Sequence, residues 1–447
     1  MHARSFFPIL LPLAALLSGA APPPATQTPT LPPGVVPLPA AAAKHFQELL
    51  AGAEKYRGLP ALRPVPAGTL AEGALREKLT ETFRKEVSPE ELATIEIGAK
   101  AFGLIPESMD LSRYLPELLT SQVAGFYDPE REYMALVRRS ETKRKGPAAA
   151  AGEDDAVIVH ELTHALQDQH FDLEKFQGVD PLSELATART ALTEGDATLT
   201  MTSFLIQGNV EALAGFVDTL KSFLGDPEKL AGLAAGGPGA ADFAKAPPWI
   251  RDSMLFSYIQ GFVFCLDVRR LGGQKLLDYA FRTDPPRSSE QILHPEKWHT
   301  QRDDPIVLHW PDLSAVLPGW TKASQGELGE ATIQILLRQG SSSREAVAAA
   351  AAGWGGDWFT VYQQSGKRVL VWWTEWDSEA DAAEFLAAAR SLGAGWQVEA
   401  VSPRRVAALR GDLSADQQAA IRAGITAAAA VIPENRAIDR RLLQAPQ

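Results

Sequence analysis

Cysteine is almost absent. Cys265 stands alone in a chain of 447 residues, so no intramolecular disulfide can form. Stability must come from a packed core or a bound ion rather than from covalent cross-links. Within the apolar run Phe262-Val263-Phe264-Cys265-Leu266 this thiol reads as a small buried hydrophobe. Long basic runs are missing as well. With 43 Lys and Arg against 55 Asp and Glu, the net charge is -12, which argues against nucleic acid or an anionic membrane surface as partner and suits an ordinary solvated surface. Long apolar runs are missing too, so no transmembrane helix is expected. The run from Phe6 to Leu17 is too short to span a bilayer; with His2 and Arg4 before it and Ser18-Gly19-Ala20 after it, residues 1–20 read as a cleaved secretory signal. Leu17-Ser18-Gly19 begins like a lipoprotein box, but Ala20 stands where the lipidated Cys would be. The expected location is periplasmic or secreted, with no membrane attachment after signal cleavage.

What is present has the composition of a globular protein, 45% hydrophobic, with length enough for two or three domains. Residues 21–40 are rich in Pro and Ala and read as an extended linker. Helices are expected over Ala41 to Ala53, Thr69 to Lys85, Ser88 to Phe102, Leu182 to Leu205 and Trp249 to Leu271. Ser88-Pro89-Glu90-Glu91 supplies a cap, a first-turn Pro and acid at the positive helix end. Two short apolar runs, Gln122 to Tyr127 and Tyr133 to Val137, flank Asp128-Pro129 and predict a β-hairpin. The stretch from Lys143 to Gly152 reads as a loop, and residues 224–248, rich in Gly, Ala and Pro, as an insertion. From Leu317 the character changes: helices over Glu330 to Gln339, Ser342 to Ala352 and Ser378 to Leu392, paired strands around Ser365-Gly366, strands at Trp396 to Val401 and Val406 to Leu409, and a last helix capped by Ser414 and Gln417. The fold class expected is α+β, mostly helical, with a domain over 41–316 carrying a small hairpin or sheet and a small α+β domain over 317–436. The Trp residues between 354 and 376 are assigned to its core.

The chemistry gathers at His160-Glu161-Leu162-Thr163-His164. Residues four apart lie one above the other on a helix, so the two imidazoles can face one ion while Glu161 stands beside it. Two His and an adjacent carboxylate are what a zinc hydrolase requires. Catalytic zinc takes a third protein ligand. His170 has the spacing of a third histidine in metzincins, but the Gly that turns the chain there is Gln167 in this sequence. If the helix continues, His170 lies roughly 15 Å along the axis and on another face. Glu194 is preferred. It lies on the next long helical pattern, with 29 residues between it and His164, enough for an antiparallel return. Glu174 and Glu184 have less context, and Asp196 and His170 are candidates for groups that orient the ligands.

The stretch from His160 to Leu173 with Glu194-Gly195-Asp196-Ala197, the Val123 to Pro129 hairpin, Tyr258-x-x-Gly261, the Ser289 to Lys297 segment, Gly353 to Asp357 and Trp376-Asp377-Ser378 together resemble a bacterial group of exported zinc metallopeptidases of gluzincin type. The resemblance runs from about residue 60 to 430. It implies a zincin-like metallopeptidase domain, Zn2+ held by His160, His164 and Glu194, Glu161 as general base, and a peptide or protein substrate. Gluzincins stabilise the oxyanion with a Tyr or His, which makes Tyr258 and His294 the candidates here. In such enzymes an edge strand over the metal pairs with extended substrate. The competing expectation is a non-catalytic exported binding protein with a structural metal, which would need a fourth protein ligand.

Overall fold

The computed structural model describes residues 31–443, apart from 72, 75–76, 79, 82–86, 123–124, 139–152, 180–182, 210–212, 214–239, 342, 435–436 and 440. The expected export signal, the expected linker up to residue 30, the loop from 143 to 152 and the insertion up to residue 239 lie outside the described residues. The architecture is mixed α+β with helices predominating. No helix among the described residues is long and apolar enough to cross a membrane.

The first part of the chain lays a small sheet against helices. β1 (Val36–Pro37) is followed by α1 (Ala40–Arg57) and β2 (Ala67–Ala71). Two structural results differ from expectation. The end of the Pro-rich stretch is not free linker: Val35 is buried and Val36 pairs with Thr69. Thr69 does not start a helix, because Ala67–Ala71 runs parallel to the distant segment Met134 to Arg138, a partner that local periodicity cannot reveal. α2 (Pro89–Phe102) carries the expected capping box, with Ser88 accepting from Glu91 N and Glu91 reaching back. After α3 (Leu111–Gln122) come β3 (Gly125–Asp128) and β4 (Tyr133–Arg138), the expected hairpin. The strand order β1-β2-β4-β3 leaves β3 at an edge.

Helices α4 (Glu153–Phe171), α5 (Leu173–Gln177) and α6 (Glu184–Leu205) follow, and then α7 (Ala240–Lys245) and the long α8 (Pro248–Arg282), bent at Gly273. α6 and α8 touch backbone to backbone. A Cβ on Gly195 would lie 2.1 Å from the Gly261 carbonyl carbon, and one on Gly261 would lie 2.0 Å from the Ala191 oxygen. Cys265 is buried in the same contact, its Sγ donating to the Leu192 carbonyl at 3.5 Å. Short helices α9 (Ser289–Leu293) and α10 (Glu296–His299) lead out of this layer.

Beyond β5 (Val307–Leu308), an antiparallel five-stranded sheet is built from β6 (Thr321–Gly326), β7 (Trp354–Gln364), β8 (Lys367–Trp376), β9 (Trp396–Ser402) and β10 (Arg405–Gly411), in the order β6-β7-β8-β10-β9. Ser365 and Gly366 both have positive φ and join β7 to β8 in a two-residue turn whose twist suits a hairpin. Trp354, Trp372, Trp373 and Trp376 are buried, as core residues. β6 had no signal in the sequence; its residues, Thr321 to Gly326, are polar or small, and it forms at the sheet's edge. The helices are α11 (Gly329–Leu337), α12 (Arg344–Ala351), α13 (Glu379–Ala389) and α14 (Ala415–Ala427), the last with its Ser414/Gln417 capping box. The core is shared across residue 317: Phe102 packs edge-on against Phe359 at 5.1 Å and Trp372 at 5.4 Å, and Arg410 donates to the Ala101 carbonyl at 2.8 Å.

Candidate metal centre

α4 presents His160 and His164 one turn apart towards α6, and α6 returns antiparallel with Glu194 at the same level. The ligand atoms of these three buried side chains all lie within 4.8 Å of one another. His160 Nε2 is 3.1 Å from Glu194 Oε2, His164 Nε2 is 3.5 Å from Glu194 Oε1, and the two Nε2 atoms are 3.2 Å apart. Burial opposes charge on His164, but the Glu194 carboxylate outweighs it and raises the imidazole to about 9. Burial likewise opposes ionisation of Glu194, and the facing imidazoles overcome it. Two imidazole nitrogens and an ionised carboxylate thus converge on one buried point. Glu194 Oε1 has no hydrogen-bond partner there. This His2Glu donor set fits a zinc ion.

Glu161 stands beside this point without being one of the three. Its Oε2 accepts a hydrogen bond from the Tyr127 backbone N–H at 3.0 Å, so the edge strand β3 is registered directly on the helix. Burial raises the Glu161 pKa from its ordinary value, opposed by His164 and His160. The Tyr127 phenol donates to Asp168 Oδ2 at 2.9 Å, seven residues further along the same face of α4. Tyr258 reaches the centre from α8: its ring stacks against His160 at 5.9 Å between centroids. Burial, with the carboxylates of Glu194 and Glu161 close by, keeps its phenol protonated. The Gly195–Gly261 contact brings α8 close enough for this.

The remaining expected residues are placed elsewhere. α4 continues unbroken to Phe171, and His170 meets the Pro60 carbonyl at 2.7 Å. His170 and Glu174 line a cleft of about 610 Å³ whose walls include none of the three converging residues. Glu184 accepts from Ser289 N at 2.7 Å and Oγ at 2.6 Å. His294 Nε2 pairs with Glu330 Oε1 at 3.0 Å, and among the described residues no hydrogen bond or ring contact joins it to the centre. A second acidic group, Glu290, Asp303 and Asp377, is already filled by the Lys297 ammonium, at 2.6, 3.0 and 2.6 Å.

Around the centre lies a buried polar chain that the sequence reading had only in part. His164 Nδ1 is 2.9 Å from Gln167 Oε1. Gln167 Nε2 donates to the Thr193 carbonyl at 3.0 Å and to Asp196 Oδ2 at 2.8 Å. Arg57, fully buried at the end of α1, donates from Nε to Asp196 at 2.6 Å and from Nη2 to Asp278 at 2.9 Å. Of the two candidates for orienting the ligands, Asp196 lies in this chain and His170 does not; Gln167, which stands where a metzincin has Gly, is a member that the motif does not point to. The hydrogen bonds of Arg57 and Tyr127 carried no signal, since their partners lie far along the chain.

Residues 317–440 match the family DUF8575, a domain of unknown function. That stretch holds the five-stranded sheet and none of the residues at the centre. No curated protein and no solved structure matches the chain.

Proposed function

We propose that the chain is a zinc-dependent metallopeptidase of zincin-like, gluzincin type, exported and acting on peptides or proteins outside the cytoplasm. The observation that carries this reading is the convergence of His160, His164 and Glu194 on one buried point with Glu161 alongside. Zinc, when bound by these three, supplies Lewis acidity for the scissile carbonyl and for water. The chain's own groups do the rest. Glu161, its carboxylate held in place by Tyr127 N–H and made more basic by burial, takes a proton from the attacking water and passes it to the leaving amine. Tyr258, protonated and against His160, donates to the oxyanion. β3 lies at the edge of its sheet, the position from which a strand of extended substrate could be added, although its residues are buried and one of its amides is already taken by Glu161.

The test is Glu161→Gln, which keeps the shape and removes the proton acceptor. Zinc content and melting temperature should match wild type, while peptide cleavage falls about a hundred- to ten-thousand-fold. Equal cleavage rates would remove Glu161 from the mechanism. A zinc-loaded wild type that cleaves nothing in a broad peptide library would favour a non-catalytic binding protein with a structural metal.

A further inference from the structure

We infer that Gln167 is a positioning residue, which fixes the His164 imidazole with a proton on Nδ1 and with Nε2 turned towards the centre; this rests on the metal-site reading above. A side-chain amide has one end that accepts and one that donates, and which way it points follows from its partners. The nitrogen end of Gln167 faces only acceptors, the Thr193 carbonyl at 3.0 Å and Asp196 Oδ2 at 2.8 Å. Asp196 is itself ion-paired with the buried Arg57 at 2.6 Å, so the oxygen turned to Gln167 accepts. The amide oxygen is therefore the end at His164, and the ring nitrogen 2.9 Å from it has to be the donor. That leaves Nε2, 3.2 Å from His160 Nε2 and 3.5 Å from Glu194 Oε1, as the nitrogen free to bind an ion.

The local geometry explains why position 167 can do this. His164 and Gln167 are three apart on a helix that continues to Phe171, so they share a face. A neutral amide is also suited to the place. Glu194 and Glu161 already put two carboxylates beside the imidazoles, and a third in contact with His164 would add like charge in a buried setting. Arg57 closes the chain by holding Asp196 on one side and Asp278 on the other, so α1, α4, α6 and α8 together aim one imidazole. Partners of this kind commonly change metal affinity by about 10- to 100-fold when removed.

The experiment uses the mature full-length protein and zinc affinity measured by competition with a chromophoric chelator. Gln167→Met keeps the length and loses the acceptor; its affinity should drop about 10- to 100-fold, with the metal-free protein folded by circular dichroism. A second readout separates positioning from packing. In the zinc-loaded wild type with 15N-labelled histidine, NMR should show a hydrogen-bonded proton on His164 Nδ1, and Gln167→Met should lose that hydrogen bond. A merely space-filling role would not move this signal. Wild-type affinity in folded Gln167→Met overturns the inference, as does an unchanged His164 Nδ1–H signal in that variant. A wild type that fails to hold zinc at all overturns the metal-site reading and this inference with it.

Discussion

Glu161 and Glu194 are both carboxylates whose charges act on the same two imidazoles, and the difference between them is what each oxygen meets. Glu194 turns both oxygens to ring nitrogens, while Glu161 gives one to a backbone amide of β3. Glu194→Ala should therefore empty the site, and His170→Ala should leave about one zinc per chain, as read by metal analysis of the purified variants. The reverse pattern would move the third ligand to His170. The His-Glu-x-x-His pair could be read from the sequence because helix geometry relates residues four apart without reference to the fold. Glu194 was within reach because it sits on a strong helical pattern. Tyr127, Arg57 and the role of Gln167 were not, because each depends on a partner brought in by tertiary packing. His294 shows the converse: it lies in a stretch that resembles the family, yet its imidazole is turned to Glu330.

At the scale of elements, the centre depends on how closely α6 and α8 approach. Ala191, Gly195 and Gly261 let the two backbones meet, and this places Tyr258 on His160. Gly261→Ala would drive a methyl group into the Ala191 carbonyl. Overpacking of this kind costs about 1–3 kcal/mol, or more where backbone must move. The melting temperature should fall, and cleavage should fall further than in a variant of equal stability altered in the distant sheet. Unchanged melting and cleavage would show that the helices separate freely. Both helices were visible as patterns, whereas their spacing was not, since a glycine inside a helical pattern says nothing about what it touches. Strand β2 was mistaken for helix for a related reason: Thr69 and Leu70 are held by parallel pairing to β4, a contact across more than sixty residues of chain.

Over the whole molecule, the first part and the matched C-terminal stretch share one core and also a buried polar seam. At that seam Glu184 of α6 lies against Gly329 and is bound by Ser289. Burial, reinforced by Glu327 and Asp357 and opposed by the Ser289 hydrogen bonds, raises its carboxyl from 4.5 to about 8. The folded protein then keeps a proton that the unfolded chain has lost. Its contribution is full below about 4.5 and is lost as pH rises to about 8. Glu184→Gln removes this dependence, so the variant should gain stability relative to wild type between pH 5 and 8 in chemical denaturation. Parallel pH profiles for the two proteins would place the dependence elsewhere. The solitary thiol described between α6 and α8 has a kinetic consequence. With one Cys265 per chain, and that one buried, a thiol reagent in solution can react only with molecules in which the two helices have parted. Its labelling rate is then a clock for that opening, one exponential with no competing site. An ion that binds the folded form alone should slow the clock. Labelling within seconds in native buffer, or indifferent to added zinc, would mean that the helix pair opens without disturbing the centre beside it.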